Sequence, residues 1–575
     1  MPEQIRSSRK VAGVGSSLVR RGTIGLLLFS LLPAMAAEDM GAVHAARLLE
    51  QASFGPTMES IAEVRQLGLD AYLDRQFALP PTGYANVSRD KQCAGKDSAL
   101  CHQTLGISSI APLQWQFFQN AVHGPDQLRQ RVAFALSQIF VVSANVVNEN
   151  RRMAPYQQML LDRAFGNFRD ILYHVTLSPA MGQYLNMVNS AKGDLVAGTK
   201  ANENYARELL QLFSIGLWHL NPDGTQRLDT LGRPIPTYEQ PAIQEFARAL
   251  TGWTYASKDR YQAYELNMIA VQSRHDTQAK TLLSYQPGMP PVVLPAGQTA
   301  EADLNAVIDH IFHHPNVGPF ICRRLIQHLV TGNPSPQYVR DVVAVFNGET
   351  RENSVRGDMK AVLRKILSHP EARGISLSGT PLNAPHYGKL REPVVLLAQI
   401  MRALGIRTDG IAPAVVSGNM AQSVFRAPSV FNFYPPDHPL SSHPSDSKVD
   451  APTFDIHTSA TAYVRLNFFN SLLIYQSDLK AIGFRPESPD QVTNALGTLL
   501  PVEQSEWIKL GGDIDSLLDR LNLLLLHGSM SAQMRAIIKG VLQQGTVADP
   551  TLESIRRLRV ATYLIGTSPQ FQIQR

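Results

Sequence analysis

Apolar residues recur every three or four positions in segment after segment of this chain, and that spacing constrains its fold more than any other feature. A helix returns a side chain to the same face every 3.6 residues, so this pattern buries one stripe and leaves the other polar. It reads as helices over 42–51, two over 58–77 broken near Gly68, then 128–142, 202–215, 237–250, 302–312, 317–330 and 338–346. Further helices are expected over 359–368, 392–404, 459–473, 514–526, 531–543 and 552–565. Asn221-Pro222-Asp223-Gly224 with Gly232-Arg233-Pro234-Ile235-Pro236 reads as a small hairpin, and 254–293 as short strands between Pro-rich turns. The stretch Arg426 to Pro452 is rich in Pro, Ser and His and has little periodicity. The expected fold is therefore mainly α, a large multi-helical globular unit with small β-hairpin additions and a long Pro-rich loop. By segment this gives an N-terminal helical region with the hairpin (37–253), a mixed segment (254–300), a middle helical region (301–425), the loop (426–458) and a C-terminal helical region (459–575). No fixed-period repeat supports a solenoid.

With 44% hydrophobic and 18% charged residues among 575, the chain has the composition of a folded protein, not a disordered one. Its first segment reads as an export signal. Arg6, Arg9, Lys10, Arg20 and Arg21 precede the apolar run Gly25 to Leu32, and Ala34-Met35-Ala36 fits cleavage after Ala36. That run is shorter than the roughly 20 residues a membrane span needs. The expected location is periplasmic or secreted, and Arg20-Arg21 leaves both the general secretory and the twin-arginine route open. Residues 1–36 hold those five cations and Glu3, so the net charge of +5 falls to about +1 beyond them. Such a balance argues against a nucleic-acid partner, and no later apolar run is long enough for a stable membrane span. In an oxidising compartment Cys93 and Cys101 are expected to form a local disulfide, with Cys322 a buried free thiol.

The segment Asn202-Glu203-Asn204-Tyr205-Ala206-Arg207-Glu208 carries the most chemistry. On a helix, Glu203, Asn204, Arg207 and Glu208 fall within one arc. One reading is a capped amphipathic helix, with Asn202 as N-cap and Glu203 paired to Arg207 at i,i+4. The other is a cleft wall, with Glu203 or Glu208 as acid or base and Arg207 holding a carboxylate or sulfate. His275-Asp276 with Lys280 reads either as a capped turn or as an oriented imidazole beside an anion-binding lysine. The candidate catalytic residues are thus Glu203, Glu208, His275 and Asp276, and the candidate substrate-binding residues Asn202, Asn204, Arg207 and Lys280. The sequence has no Gly-x-Ser-x-Gly elbow, His-Glu-x-x-His motif, phosphate loop or Cys-x-x-Cys-His site, so no cofactor or metal is assigned.

Several motifs in order resemble a known bacterial family. They are 47–57 (Arg-Leu-Leu-Glu-Gln-Ala-Ser-Phe-Gly-Pro-Thr), 202–210, 247–253 ending Thr251-Gly252-Trp253, His275-Asp276, 426–434 ending Asn432-Phe433-Tyr434, and Ser568-Pro569-Gln570-Phe571. Together they resemble the exported family catalogued as domain of unknown function 1800. The family pattern usually has a Trp and a His before the Phe of one helix, where this chain reads Leu136-Ser137-Gln138-Ile139-Phe140. The resemblance implies a large, exported, mainly helical protein without an established activity. Genes of such proteins often neighbour those of a second exported, sulfatase-like family. Two functions follow as expectations: a helical partner or scaffold for a sulfatase-like protein, or a hydrolase or lyase acting on an envelope or extracellular polymer.

Overall fold

The computed structural model of the chain describes residues 33–84, 87, 110–194, 196, 198–258, 262–375, 387–440, 449–473 and 504–575. Most of the signal read over 1–36, and both Cys93 and Cys101, lie outside the described residues. The chain divides into Met1–Gly41 and Ala42–Arg575, and of the first only the opening of a helix is described. The fold is mainly α.

The described helices of the N-terminal half are α1 (Pro33–Ala52), α2 (Met58–Leu67), α3 (Leu69–Ala78), α4 (Ala111–His123), α5 (Gln127–Ile139), α6 (Asn150–Arg163), α7 (Phe168–Leu177), α8 (Pro179–Tyr184), α9 (Asn204–Gln211) and α10 (Gln240–Ala249). The expected break at Gly68 is present: Gly68 adopts a φ of 78°, ending α2 and opening α3. Thr57 caps α2 through a reciprocal pair with Ser60. Helices α4, α6, α7 and α8 were not legible in the sequence pattern. In α6, Pro155 sits inside the helix and polar residues interrupt the apolar stripe.

The second half holds α11 (Ala300–His313), α12 (Val317–Leu329), α13 (Pro336–Asn347), α14 (Met359–Ser368), α15 (Pro393–Leu404), α16 (Ile411–Asn419) and α17 (Ser459–Leu473). It ends with α18 (Gln504–Gly511), α19 (Ile514–Leu526), α20 (Ala532–Leu542), α21 (Pro550–Gly566) and α22 (Pro569–Gln572). All 12 residues of α15 are buried. Proline at its first position and Gly405 in the left-handed conformation bound it, as helix-end chemistry dictates. Around it pack α4, α16 and α19, and one continuous apolar core links both halves.

Strands are minor. Two short antiparallel pairs, β1 (Trp253–Thr254) with β2 (Ile269–Ala270) and β3 (Lys280–Thr281) with β4 (Val293–Leu294), fall in the mixed segment where strands were expected. The expected hairpin is a ribbon held by single bridges, Trp218 to Pro236, Leu220 to Gln226 and Leu228 to Pro234. A third pair, β5 (Lys389–Leu390) with β6 (Ile573–Gln574), joins the chain's end to the entry of α15.

That pairing depends on Gly388. Its φ is 114°, and a Cβ built there would stand 2.4 Å from the Gln574 carbonyl oxygen. Replacing it with alanine strains both the dihedral and the pairing, and is expected to cost about 2 kcal/mol or more. Thermal denaturation of Gly388→Ala checks this: an unchanged melting temperature would mean the β5–β6 register does not constrain the fold.

Candidate active site

Strand β5 runs straight into α15, and the turn between them carries Lys389, Arg391 and Glu392 into the interior. All three are at most 4% exposed. Glu392 is the N-cap residue of α15, where the helix dipole favours negative charge. One of its carboxylate oxygens accepts hydrogen bonds from Gln422 Nε2 (2.7 Å), Tyr434 Oη (2.9 Å) and Gln138 Nε2 (3.1 Å). The other faces the Arg131 guanidinium at 3.6 Å and Lys389 Nζ at 4.0 Å. Arg131 reaches in from α5 and donates to the His328 carbonyl at 2.7 Å. Lys389 Nζ donates to the carbonyls of Gln327 (3.2 Å) and His328. Five separate stretches of chain therefore meet around one buried carboxylate.

Burial opposes ionisation of Glu392, but Lys389, Arg131 and the Gln422 hydrogen bond outweigh it and hold its pKa below the ordinary carboxylate value. For Lys389, burial wins over the attraction of Glu392, and its pKa falls to about 7. Burial likewise lowers His328 to about 3, so its imidazole is neutral. It also raises the Tyr434 phenol well above its usual range, with the Glu392 charge adding to the effect.

Lys389, His328 and Tyr434 from this network reach the wall of a narrow cleft with a cavity volume of about 50 Å³. Gln138, His328, Lys389, Asn432 and Tyr434 line it, together with the exposed Phe431 ring and the half-buried Arg324. Asn432 takes a left-handed φ of 69°, a conformation asparagine tolerates, and donates through Nδ2 to Gln138 Oε1 at 3.2 Å. Arg324 lies over the Phe320 ring at 4.0 Å. It makes no direct ion pair with another described residue, and the Asp437 carboxylate attracts it from farther off. Burial lowers its pKa only to about 10, which leaves it charged at neutral pH. The cleft thus combines a guanidinium without a direct ion pair, an amine that titrates near neutrality and a phenol held by a carboxylate. Such an arrangement can hold an acidic group and exchange a proton.

The residues singled out in the sequence fall into two groups. Glu203 pairs with Arg207 at 3.0 Å, and Gln240 at the start of α10 bonds to Glu203 (2.7 Å) and to Arg207 (3.3 Å). The helix starts later than the period suggested. Its N-cap position is Glu203, not Asn202, and carries no side-chain cap; Asn202 lies one residue earlier and accepts from the Asn204 amide at 3.0 Å, while Asn204 Nδ2 donates to Asn186 (3.0 Å). Glu208 is buried, and burial raises its pKa despite Arg207 nearby. The second group lies at the other end of α10. There Arg248 clasps Asp276 at 2.9 and 3.2 Å. Asp303 of α11 accepts from Lys280 Nζ (2.6 Å) and His275 Nε2 (3.1 Å), all with fully buried side chains. His275 Nδ1 meets the Thr251 carbonyl at 2.9 Å, and Lys280 also donates to the Asp276 and Gln278 carbonyls. The side-chain nitrogens of His275 and Lys280 are thus all engaged, tying 275–280 to Asp303 of α11, to Thr251 and to its own backbone. The eight positions between Gln240 and Arg248 separate the two groups by about 12 Å along α10, so the candidates do not converge on one cleft.

His328, Lys389, Glu392 and Arg324 were not singled out from the sequence. A signal was present: Lys389, Arg391 and Glu392 stand immediately before the strongly apolar run Pro393 to Leu404. Asn432 and Tyr434 do come from a motif that carried the resemblance. Gln138 and Ile139, where the chain departs from the family pattern, also line the cleft. Among the described residues no cluster of His, Cys, Asp and Glu could hold a metal ion, and no helix is long and apolar enough to cross a membrane.

Fold and site define a mainly helical protein whose core holds a charged network opening onto one polar cleft. The chain belongs to the family described as "Protein of unknown function (DUF1800)", which it matches over residues 47–573. Comparison with curated proteins and with solved structures returned no match.

Proposed function

We propose that the protein acts outside the cytoplasm on an acidic polymer of the envelope or extracellular space, holding a carboxylate or sulfate of that polymer in the cleft beside Arg324. The carrying observation is the Arg324 guanidinium, which lines the cleft with no direct ion pair and only the more distant Asp437 charge attracting it, while Lys389 lines the same space. Guanidinium groups suit carboxylate and sulfate because their donors form a planar fork. The exposed Phe431 ring supports a sugar-based polymer, since it offers an apolar face at the cleft. Lys389 supports hydrolase or lyase chemistry over simple binding, because a base titrating near pH 7 is matched to proton transfer. The signal read over 1–36 supports the location. The scaffold reading, with an exported sulfatase-like partner, rests on the family resemblance and on the lack of a catalytic signature in the sequence, and no cleft residue enters it.

Affinity electrophoresis through gels holding polygalacturonate, dextran sulfate or neutral dextran tests the proposal. Retardation by one acidic polymer and not by dextran is expected, and which one identifies carboxylate or sulfate. Arg324→Ala should weaken that retardation about tenfold, the loss of one charge-assisted contact worth about 1.5 kcal/mol or more, at an unchanged melting temperature. Equal mobility in all three gels would overturn the reading.

A further inference from the structure

A second and larger cavity, of about 290 Å³, lies at the C-terminal end of α15. That volume is close to the lower end of the usual range for small-molecule sites. The first turn of α2, the last turn of α15, α18 and α19 supply its walls. Ten residues of α15, about 15 Å of helix, separate Arg402 at this cavity from Glu392. It shares no lining residue with the Arg324 cleft.

Arg402 gives the cavity its chemistry. The residue is 9% exposed. Its Nε donates to the Gly55 carbonyl at 2.7 Å, and its Nη1 to the Val122 carbonyl at 2.8 Å. These two bonds fix the guanidinium plane and leave Nη2 without a hydrogen bond or direct ion pair among the described residues. Burial lowers its pKa only to about 10, with Tyr72 and Glu59 opposing from farther off, so it stays charged at neutral pH. A desolvated cation is costly unless a counter-charge meets it. Arg402 lines the cavity, and Nη2 is the part of it left to meet one.

The rest of the wall agrees. Three guanidiniums, Arg402, Arg407 and Arg520, face two carboxylates, Glu59 and Glu506, and Arg520 pairs with Glu506 at 2.9 Å. One positive charge is left over. Thr57 caps α2 by accepting from the Ser60 amide, while the Met58 and Glu59 amides, at the same wall, donate to no described acceptor. Open amides at a helix start favour an anion. Trp507 adds an aromatic face to the same space.

We propose that this cavity binds a small organic acid with a flat apolar body, its carboxylate seated on Arg402 and the first amides of α2, and its body against Trp507. A single excess charge matches a carboxylate better than a phosphate ester, which carries about two negative charges at neutral pH. The site is independent of the reading of the Arg324 cleft.

Calorimetric titration of the full chain at pH 7 with benzoate, phenyl phosphate and neutral benzamide tests this, with tryptophan fluorescence followed in parallel. Benzoate should bind, and benzamide should bind about tenfold more weakly or less. The fluorescence change on binding should be lost in Trp507→Phe. Arg402→Gln should lose benzoate binding. Because Arg402 also holds two backbone carbonyls, a second variant carries the test if that one does not fold. Glu59 is exposed, so Glu59→Gln removes a competing carboxylate from the wall without disturbing the core. It should tighten benzoate binding severalfold at a nearly unchanged melting temperature. Absence of benzoate binding, or equal binding of benzamide, would overturn the proposal. Tighter binding of phenyl phosphate would overturn the assignment to a carboxylic acid. Benzoate binding that is lost in Arg324→Ala but unaltered in Glu59→Gln and Trp507→Phe would put the acid in the other cleft and overturn this one.

Discussion

Glu392→Ala is expected to lower the melting temperature of the full chain by several degrees at neutral pH. The substitution removes the one carboxylate facing Arg131 and Lys389, whose side chains are at most 2% exposed. Arg131, and Lys389 to the extent that it is protonated, then lose their counter-charge, which for a broken buried pair costs about 3–5 kcal/mol. Gln138, Gln422 and Tyr434 lose their acceptor at the same time, and each unsatisfied donor adds about 1 kcal/mol or more. The Lys389 amine relieves part of this by giving up its proton, because its pKa of about 7 falls further without Glu392. Arg131 has no such escape. Glu392→Gln keeps the shape and one acceptor, so it should fall between wild type and Glu392→Ala. The comparison is made by thermal denaturation at pH 7.5. If Glu392→Ala melts within about a degree of wild type, the five stretches of chain are not held by this carboxylate. The site would then be something other than a charged network.

How much of this could be read in advance follows from how far apart the interacting residues lie. The helices with a clean apolar stripe were legible, and α14, α17 and α19 fall where the spacing put them. So were the break at Gly68 and the Glu203–Arg207 pair, which depend on residues four apart or fewer. The Glu392 site was not, because its contacts join Gln138 to Glu392 across 254 residues and Tyr434 to Glu392 across 42. No periodicity encodes such a pairing. The His275-Asp276 dipeptide shows the reverse. Its two side chains point to different partners, His275 to Asp303 and Asp276 to Arg248. Adjacency in sequence placed them on opposite sides of the backbone. Glu208 lay between these cases: its helix face was legible, but its burial was set by α10, outside its own helix.

Acid should destabilise the protein well before its carboxylates are protonated. His310 and His314 sit on and just beyond α11, at most 4% exposed. His310 stacks on Tyr285 with ring centres 4.7 Å apart, and His314 stacks on His219 at 5.8 Å. His314 Nδ1 accepts from the Asn316 amide at 3.1 Å, and its Nε2 has no partner. Burial lowers His310 to about 4, with His313 adding to it. Burial, His219, His310 and Arg356 lower His314 to about 3. Both groups, and His328 in the cleft, thus have folded pKa values below the roughly 6.5 of an unfolded histidine. Between those values the unfolded chain binds protons that the folded chain refuses. Their contribution is fully present above pH 6.5 and is lost as the pH falls from 6.5 toward 4. Each unit of difference is worth about 1.4 kcal/mol per histidine, so the three together remove several kcal/mol by pH 4.5. Melting temperatures measured from pH 7.5 to 4.5 should fall steeply in wild type. In His310→Phe, which keeps a ring against Tyr285, the decline should be shallower by about one proton's worth. A parallel decline in the two proteins would mean that His310 is already charged in the folded chain, held by the Leu283 backbone.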